Sequence, residues 1–459
     1  MYHSTTRGDQ TVPPPERLPR IVVIGGGFGG LAAARALSET PADVIVVDRR
    51  NHNIFQPLLY QVATAVLAPS EVAAPIRQLA RRQKNLAVVL GEAVNVDLDA
   101  QTVRIVHGAG EALDLVYDYL IVAAGTRPSY FGRDEFAAFA PSLKTLTDAE
   151  AIRAKILSAY EAAELADHDI DQQRLMTFVL VGAGPTGVEL AASMAQMASY
   201  TLKHDFRRID PARTTIILVE GGPRILPSFH ESLSAKAHAH LEKIGVRVMT
   251  GAKVEMVDDS GVIVAGERIA AATVIWTAGV EAAPIIRTLA TPKDRAGRVQ
   301  VDPHLNIPDH PQVYVVGDAA TLVIDGRPLP GVAQAALQMG RYAGARIAGA
   351  LAGRRLAEPF RYRDMGNMAV VGKNFAVLET KQVRRHGFAS WLAWALLHVM
   401  VLPQQQNRLR VQTQWFWTYL TGQRGSRLIP EAGQHPTAPA HGDAAQIPQN
   451  GQSPPPTGG

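Results

Sequence analysis

The sequence contains no cysteine among its 459 residues. This absence excludes disulfide frameworks, Cys-X-X-Cys redox centres, thiolate zinc sites and iron–sulfur clusters. Any redox chemistry must therefore use a bound organic cofactor. Charged residues make up only 19% of the chain, whereas hydrophobic residues make up 47%, which supplies large cores and excludes a wholly disordered protein. The formal net charge of +4 is too small to indicate nucleic acid as a partner.

Long hydrophobic runs are also absent. No window reaches the roughly 20 apolar residues that span a bilayer, and the N-terminal residues lack the apolar core of a signal peptide. The longest apolar stretch, residues 388–402, is predicted to be a helix that can lie in a membrane interface but cannot cross it. Residues 1–19 are predicted to be a disordered arm on a cytoplasmic protein, and residues 431–459 a disordered tail.

Glycine-rich turns occur twice, each between an apolar strand and an Ala-rich helix. After strand 20–24 the chain reads GGGFGG, and after strand 178–181 it reads GAGPTG. Glycine lets a pyrophosphate approach the backbone closely, and the helix N-terminus offers unpaired N–H groups and partial positive charge. The pattern G-x-G-x-x-G therefore predicts two dinucleotide sites, with its glycines at Gly25, Gly27 and Gly30 and at Gly182, Gly184 and Gly187.

The repeat predicts an α/β protein with two Rossmann-like dinucleotide-binding domains, the second inserted in the first. A C-terminal membrane-associating region follows them. The first domain is predicted to be discontinuous, comprising residues 20–140 and 296–350, and the second to comprise residues 141–295. Residues 351–430 are predicted to anchor the protein to a membrane, and they are the candidate region for a dimer contact.

A carboxylate follows each turn at the end of the next strand, where it can bond a ribose hydroxyl. Asp48 lies close to the expected distance of about 20 residues after the first turn. Glu220 lies further from the second turn, which predicts that the intervening helix is extended. An acid at this position favours NADH over NADPH because it repels a 2′-phosphate, although Arg224 nearby has the opposite charge.

The C-terminal region combines tryptophan with unopposed positive charge. Residues 381–430 contain no Asp or Glu. Aromatic rings favour the bilayer interface, and basic residues favour anionic lipid. The pattern predicts a monotopic anchor, and a buried dimer interface or a cap over the core is the alternative. The residues concerned are Trp391, Trp394, Trp415, Trp417, Lys381, Arg384, Arg385, Arg408, Arg410, Arg424 and Arg427.

Longer stretches of the chain resemble one known family, the type II NADH dehydrogenases, which are single-chain NADH:quinone oxidoreductases that pump no protons. The similarity extends from about residue 20 to residue 429. The glycine turns are shared with many flavoproteins, whereas the other motifs are more specific. They are DRRNH at 48–52, FQPLLYQVAT at 55–64, VEGGPRILP at 219–227, VGDAA at 316–320, AQAALQ at 333–338 and the aromatic WFWTYL at 415–420.

The resemblance implies roles for individual residues. It implies non-covalent FAD in the first domain, NADH as a substrate in the second, and Glu189 beside the nicotinamide and the flavin. Gln334 and Gln338 lie on one helix face, where neutral amides suit a quinone carbonyl. The FAD residues would be Gly25, Gly27, Gly30, Asp48, Thr64, Gly125 and Asp318, with the last at a helix N-terminus; the NADH residues would be Gly182, Gly184, Gly187, Glu220 and Gly279.

The predicted protein is thus an oxidoreductase of the respiratory chain, peripheral to the cytoplasmic face of a bacterial inner membrane. Its expected partners are a membrane quinone and an anionic lipid surface, and a second copy of the chain is a further candidate. No metal site and no nucleic acid are expected. Whether Glu189 transfers a proton or only positions the nicotinamide stays open at this point.

Two alternatives share the glycine turns. A flavoprotein reductase of a protein electron carrier would not need the basic, aromatic C-terminus. A flavin-binding regulatory protein without turnover has no special feature in the sequence. Sulfide:quinone oxidoreductases and disulfide reductases are excluded because they need cysteines.

Overall fold

The computed structural model describes residues 17–108, 110–324, 326–354 and 358–429. The predicted tail at 431–459 and residues 1–16 of the predicted arm lie outside these ranges. Residues 17–19 of that arm are described, and Arg17 there bonds both carboxylate oxygens of Asp118 at 3.0 Å. The arm as far as it is described is therefore held to the strand that begins at Tyr119.

The first sheet consists of six strands around the first glycine turn. All neighbouring pairs are parallel except the last hairpin. Its central strands are continuous apolar runs, as expected for a parallel sheet that is buried on both faces. The strands, in spatial order, are Leu86–Leu90, Asp43–Asp48, Arg20–Ile24, Tyr119–Val122, His310–Val315 and Asn306–Ile307.

The second sheet consists of four parallel strands around the second turn. In spatial order they are Val246–Thr250, Thr215–Glu220, Thr177–Val181 and Thr273–Trp276. All four lie in sequence between the strands at 119–122 and 306–315 of the first sheet. This topology confirms two Rossmann-like units with the second inserted in the first. The limits of the domains at residues 140 and 295 stay predictions.

Two short strands connect the units. Thr126–Pro128 pairs antiparallel with Val280–Ala282, so the chain leaves the first unit and returns to it side by side. An ion pair of 2.5 Å between Arg127 and Glu281 joins the same two strands. The crossing is thus a defined two-stranded link.

A helix follows each glycine-rich turn and packs against other elements of the structure. Phe28–Ala36 packs against Ala333–Leu351 so closely that a Cβ on Gly340 would lie 2.0 Å from the Gly29 carbonyl oxygen. Pro185–Gln196 is the helix that follows the glycine-rich turn of the second unit. Other helices are Leu59–Ala63, Pro69–Val72, Ile76–Ala80, Leu146–Leu165, Asp169–Leu175 and Glu231–Lys243.

The prediction of one extended helix before Glu220 was wrong. Pro185–Gln196 ends after 12 residues and continues as a π-helical turn, Met197–Thr201, followed by a loop and the short turn Pro211–Arg213. A π-turn changes the hydrogen-bond partners of the backbone, so the chain leaves the helix axis there.

Smaller sheets complete the two units. Three antiparallel strands flank the first sheet, at Glu92–Asp97, Thr102–His107 and Glu111–Val116, and three flank the second, at Val254–Asp258, Gly261–Val264 and Glu267–Ala270. Two-stranded pairs form between His52–Ile54 and Ala73–Pro75, between Val299–Gln300 and Ala320–Thr321, and between Val323–Ile324 and Arg327–Pro328.

The C-terminal region is a three-stranded sheet followed by two helices. Its strands are Asn367–Val370, Ala376–Glu379 and Arg384–Gly387, and its helices are Phe388–Val401 and Gln405–Thr421. The first helix agrees with the predicted 388–402, whereas the second helix was not predicted. Within the described ranges, every helix is too short or too polar to traverse a bilayer.

Candidate active site

Each glycine-rich turn has its first glycine at a positive φ, +102° at Gly25 and +101° at Gly182. Its third glycine packs on the carbonyl oxygen of the first. A Cβ added to Gly30 would lie 1.8 Å from the Gly25 oxygen, and one added to Gly187 would lie 1.9 Å from the Gly182 oxygen. These four glycines are therefore required by the protein itself, because a side chain at the third position cannot be accommodated without a backbone shift.

The middle glycine of each turn is open. A Cβ added to Gly27 or Gly184 would meet no atom of the described residues within 4 Å. Each is the residue before a helix, Phe28–Ala36 and Pro185–Gln196, so the space lies at a helix N-terminus. Such a position, with unpaired N–H groups and partial positive charge, fits a dinucleotide pyrophosphate.

The two predicted ribose-binding acids accept equivalent pairs of backbone hydrogen bonds. Asp48 accepts from the Gly26 N–H at 2.7 Å and from the N–H two residues after itself at 2.8 Å. Glu220 accepts from the Ala183 N–H at 2.8 Å and again from the N–H two residues after itself at 2.8 Å. Each carboxylate oxygen keeps a further lone pair, so a ribose hydroxyl can still donate to it.

Arg224 forms no ion pair with Glu220 among the described residues. Its guanidinium donates to the carbonyl oxygens of Phe229 at 2.6 Å and Pro227 at 3.0 Å. Its hydrogen bonds therefore hold its own loop. The role of Glu220 in favouring NADH over NADPH stays a prediction.

Glu189 lies in the second turn of helix Pro185–Gln196. Compensation of the helix dipole is therefore a weak explanation for it. The side chain is only 9% exposed, and its Oε1 accepts from the Val370 N–H at 3.2 Å. Burial raises the pKa of Glu189 to about 8, against the smaller opposite effect of that hydrogen bond. The group is thus protonated at neutral pH.

The predicted flavin-side segment meets Glu189 and the C-terminal region. Gln61 donates to the Tyr60 hydroxyl at 3.0 Å and accepts from the Trp415 indole N–H at 2.7 Å. Burial, and secondarily the charge of Glu189, raise the pKa of Tyr60 well above its ordinary value. The contacts form a buried polar chain from helix Leu59–Ala63 to helix Gln405–Thr421.

Thr64 has protein partners for its polar groups. Its hydroxyl donates to the Tyr60 carbonyl at 2.9 Å and lies 2.8 Å from the Ser193 hydroxyl, one helical turn beyond Glu189. Its carbonyl accepts from Arg424 at 2.7 Å. Thr64 thus joins the two units, which was not foreseen in its predicted role of approaching the flavin.

Arg424 is a buried guanidinium at the same junction. It donates to the carbonyls of Thr64 at 2.7 Å and Ser193 at 2.8 Å, and its Nε has no partner in the described part of the chain. Burial lowers the pKa of Arg424 to about 9. It was predicted as one of the lipid-facing cations, and that prediction was wrong because the side chain is 5% exposed.

Gln334 and Gln338 lie on one face of helix Ala333–Leu351, as predicted. Gln334 donates to the Gly366 carbonyl at 2.9 Å and accepts from the Met365 N–H at 3.0 Å. Gln338 makes the same pair of bonds, both at 2.9 Å, with the N–H and carbonyl of Arg363. The two amides thus hold the segment that leads into the C-terminal sheet.

Asp318 lies in a short turn, Gly317–Ala319, and not at a helix N-terminus as predicted. The helix begins only at Ala333, although a Cβ on Gly331 would lie 3.5 Å from the Asp318 carboxylate. The carboxylate has no hydrogen-bond partner among the described residues, which leaves it available to a ligand. Burial of Lys144 lowers the pKa of that lysine, and the negative charge of Asp318 opposes this effect.

The two remaining predicted glycines differ in their surroundings. Gly125 has a φ of +68°, and a Cβ there would meet no described atom within 4 Å. Gly279 has a φ of +70°, but a Cβ there would lie 2.5 Å from Cζ of Phe131. Gly125 is thus open to a ligand, whereas an aromatic ring occupies the space in front of Gly279.

The C-terminal helices expose large apolar side chains with a period of about one turn. Of the four tryptophans predicted at an interface, Trp417 is 59% exposed, whereas Trp394 is 3% exposed and belongs to the core. Lys373 donates to the Tyr419 carbonyl at 2.9 Å and so holds the second helix. Eight of the exposed apolar residues, named here the apolar face, are Phe388, Leu392, Leu396, Met400, Leu409, Phe416, Trp417 and Leu420.

Residues 19–340 match the model of the pyridine nucleotide-disulphide oxidoreductase family. The chain is 42% identical to the type II NADH:quinone oxidoreductase Ndh of Mycobacterium tuberculosis H37Rv, over 92% of each chain. The chain belongs to the type II NADH:quinone oxidoreductases. It is also 28% identical to the demethylphylloquinone reductase NdbB of Synechocystis, over 86% of this chain and 95% of the relative.

The fold of this family member agrees with solved structures. It matches NDH2 of Plasmodium falciparum in complex with NADH with a TM-score of 0.81 at 19% identity, over 90% of this chain and 100% of the other. The family membership and the fold confirm what the motifs predicted. The roles of individual residues stay predictions.

Sequence reasoning missed Arg424, the Tyr60–Gln61 pair and Phe131 as parts of this region. Tyr60 and Gln61 lie inside the FQPLLYQVAT motif, so the motif itself was the available signal. Arg424 carried no signal that separated it from the other basic residues at 381–430. Its burial depends on contacts with residues far away in the sequence.

Proposed function

We propose that this chain is an FAD-dependent enzyme that oxidises NADH and reduces a membrane quinone without pumping protons. NADH, one proton and the quinone become NAD⁺ and the quinol, so two electrons are transferred. The observation that carries the proposal is the duplicated turn, with an open middle glycine and an acid bonded alike in each copy. The quinone reductase activities named for relatives support it over a reductase of a protein electron carrier.

FAD fits the first turn. Gly27 would face its pyrophosphate, Asp48 its adenosine ribose, and Asp318 its ribityl chain. The open space at Gly27 and the partner-free carboxylate of Asp318 support this assignment. When bound, FAD supplies the acceptor for the hydride and the donor of both electrons to the quinone.

NADH fits the second turn in the same way. Gly184 would face its pyrophosphate and Glu220 its adenosine ribose. Glu189, one turn into the helix and protonated at neutral pH, would hold a proton beside the nicotinamide.

An anaerobic spectral titration tests the activity. We expect NADH to bleach the flavin at far lower concentration than NADPH, and a short-chain quinone to restore it. Bleaching that no quinone reverses would contradict the quinone assignment and favour a protein acceptor. Equal response to NADPH would contradict the role of Glu220.

Gln334 is proposed to act on the quinone side. We expect Gln334→Leu to slow flavin reoxidation by quinone about tenfold, because loss of both amide bonds frees the backbone of Met365 and Gly366. Flavin bleaching by NADH should be unchanged. Stopped-flow absorbance measures each half-reaction separately, and equal slowing of both would show that Gln334 does not belong to the quinone side.

The apolar face is proposed to lie in the membrane interface, with Lys381, Arg385 and Arg410 exposed to anionic headgroups. Contiguous exposed apolar residues of this size are typical of a membrane or protein contact. A peripheral position at a membrane is proposed because the quinone substrate dissolves in the bilayer, and the cytoplasmic side of a bacterial inner membrane stays a prediction. A dimer through the same region stays a prediction.

Changes on the apolar face should reduce membrane binding. We expect the double variant Phe416→Ser/Trp417→Ser to lower partition onto vesicles of phosphatidylglycerol and phosphatidylcholine at least tenfold, since burying one large apolar side chain contributes about 1.5–3 kcal/mol. Leu165→Ser/Ile170→Ser is the matched control, since both are at least 76% exposed on the second unit. Sedimentation measures the partition, and equal loss in both variants would contradict the proposed face.

A further inference from the structure

One aromatic side chain projects from the loop that follows the connecting strand Thr126–Pro128. Phe131 is 70% exposed, whereas Tyr130 and Phe136 in the same loop are 8% and 2% exposed. It also has a φ of +55°, a left-handed conformation that a residue with a Cβ adopts only at a cost. Core packing therefore does not account for the ring, because most of it faces outwards.

The loop is fixed where the ring leaves it. The Ser129 hydroxyl accepts from the Phe131 N–H at 3.3 Å, and the Ser129 N–H donates to the Gly279 carbonyl at 3.3 Å. The Trp276 indole N–H donates to the Ser129 carbonyl at 2.9 Å. These bonds hold the loop on the end of strand Thr273–Trp276, so the position of the Phe131 backbone is built into the structure.

The ring lies beside the second glycine turn. A Cβ on Gly182 would lie 2.7 Å from the backbone N and Cα of Ala278, so the turn contacts that strand end directly. Gly279 is the next residue, and the tip of the Phe131 ring occupies the space where its side chain would be. The turn thus contacts Ala278, and the Phe131 ring contacts the next residue, Gly279.

The strand order defines which half of a dinucleotide this ring would meet. Glu220 ends the strand on one side of Thr177–Val181, and Gly279 follows the strand on the other side. A dinucleotide crosses the carboxyl edge of such a sheet, with its adenosine ribose at the acid and its pyrophosphate at the central turn. Its nicotinamide half therefore lies on the side of Gly279.

We propose that Phe131 is a binding residue for NADH, and that its ring forms the wall against which the nicotinamide half packs. The inference rests on the proposed function and extends it, because it assigns an apolar contact surface to the half that reacts. The ring replaces the side chain that Gly279 lacks, so the contact surface comes from a different part of the chain. An aromatic face suits this task because it packs on planar rings without a polar group to satisfy.

The test compares two ligands on the oxidised protein with its flavin bound. NAD⁺ has the nicotinamide half and ADP-ribose lacks the nicotinamide ring. Calorimetry should show that Phe131→Ala binds NAD⁺ about tenfold more weakly than the wild type. A tenfold loss is the size expected when one stacking contact between an aromatic side chain and a planar ring is removed. The affinity for ADP-ribose should change less than twofold.

Two further variants complete the design. Phe131→Tyr keeps the ring and should bind NAD⁺ like the wild type. Phe139→Ala removes a partly exposed phenylalanine from the same region and should leave both affinities unchanged. In stopped-flow experiments, Phe131→Ala should raise the NADH concentration needed for half-maximal flavin bleaching by the same factor of about ten.

The outcomes are distinct. Unchanged or tighter NAD⁺ binding in Phe131→Ala would overturn the proposal, and tighter binding would show that the ring obstructs the site. Equal weakening of both ligands would overturn packing on the nicotinamide ring, because ADP-ribose lacks only that ring. Failure of the wild type to bind either ligand would instead contradict the proposed function.

Discussion

Gly184→Ala is expected to weaken the reaction with NADH while the protein stays folded and keeps its flavin. The new Cβ would meet no described protein atom within 4 Å, and the φ of −69° at this residue suits alanine. It would instead enter the space of the pyrophosphate at the helix N-terminus. We expect the NADH concentration for half-maximal flavin bleaching to rise roughly 10- to 100-fold, in line with a steric conflict of about 1–3 kcal/mol. Stopped-flow absorbance measures it.

Two matched variants separate the ligand from the protein as the cause. Gly187→Ala places its Cβ 1.9 Å from the Gly182 carbonyl oxygen, so it should lower the midpoint temperature of unfolding, which Gly184→Ala should not. Gly27→Ala is the equivalent of Gly184→Ala in the first turn and should lower flavin content instead. An unaltered response of Gly184→Ala to NADH would show that the second turn does not hold the pyrophosphate.

Glu189→Gln is expected to change how stability depends on pH. The folded protein binds this proton more tightly than the unfolded chain, because burial raises the pKa from 4.5 to about 8. The stabilisation is complete below pH 4.5 and is lost as the pH rises towards 8. Between these values the free energy of unfolding should fall by up to about 1.4 kcal/mol per pH unit from this group. Denaturant unfolding from pH 5 to pH 8 measures the slope.

The glutamine variant should lack this contribution because it has no proton to lose. Glu161→Gln, on an exposed position of helix Leu146–Leu165, is the control and should keep the wild-type slope. A wild-type slope in Glu189→Gln would contradict a protonated, buried Glu189.

The same variant separates a proton-transferring role from a positioning role. A glutamine keeps the oxygen that accepts from the Val370 N–H, so the packing of the C-terminal sheet should persist. If Glu189 supplies a proton, quinone reduction should slow while NADH binding is retained. If it only positions the nicotinamide, Glu189→Gln should resemble the wild type in both half-reactions.

The sequence predicted the central strands of both sheets closely, because fully buried strands are continuous apolar runs between glycine and polar residues. The strand predicted at 20–24 is Arg20–Ile24, and the strand predicted at 178–181 begins one residue earlier, as Thr177–Val181. Helix Gln405–Thr421 was not predicted because its sequence is polar and rich in aromatic and β-branched residues. It is held by packing, with Val411 fully buried and Asn407 bonded to the Ser70 and Ala73 carbonyls at 3.2 Å.

The candidate site also has some features that the sequence predicted and others that it did not. The turns and their acids follow from glycine spacing and strand ends, which are local properties of the chain. The partners of Thr64, Gln334 and Gln338 were not predictable, because each residue bonds to a group that is distant in sequence: the Arg424 guanidinium for Thr64, and backbone carbonyls for the two glutamines. The same reason explains why Trp394 is buried whereas Trp417 is exposed. Trp394 lies on the side of helix Phe388–Val401 that packs on the core, and a local pattern does not show which side that is.

The sequence alone thus determined the two dinucleotide units, their order and the absence of thiol chemistry, since each depends on residue type and short spacing. The tertiary structure decided which charges are buried. It enclosed Glu189 and Arg424 at the junction of the two units and the C-terminal region, and it placed Phe131 in front of Gly279. Burial and pKa depend on which distant segments pack together, and no local pattern encodes that.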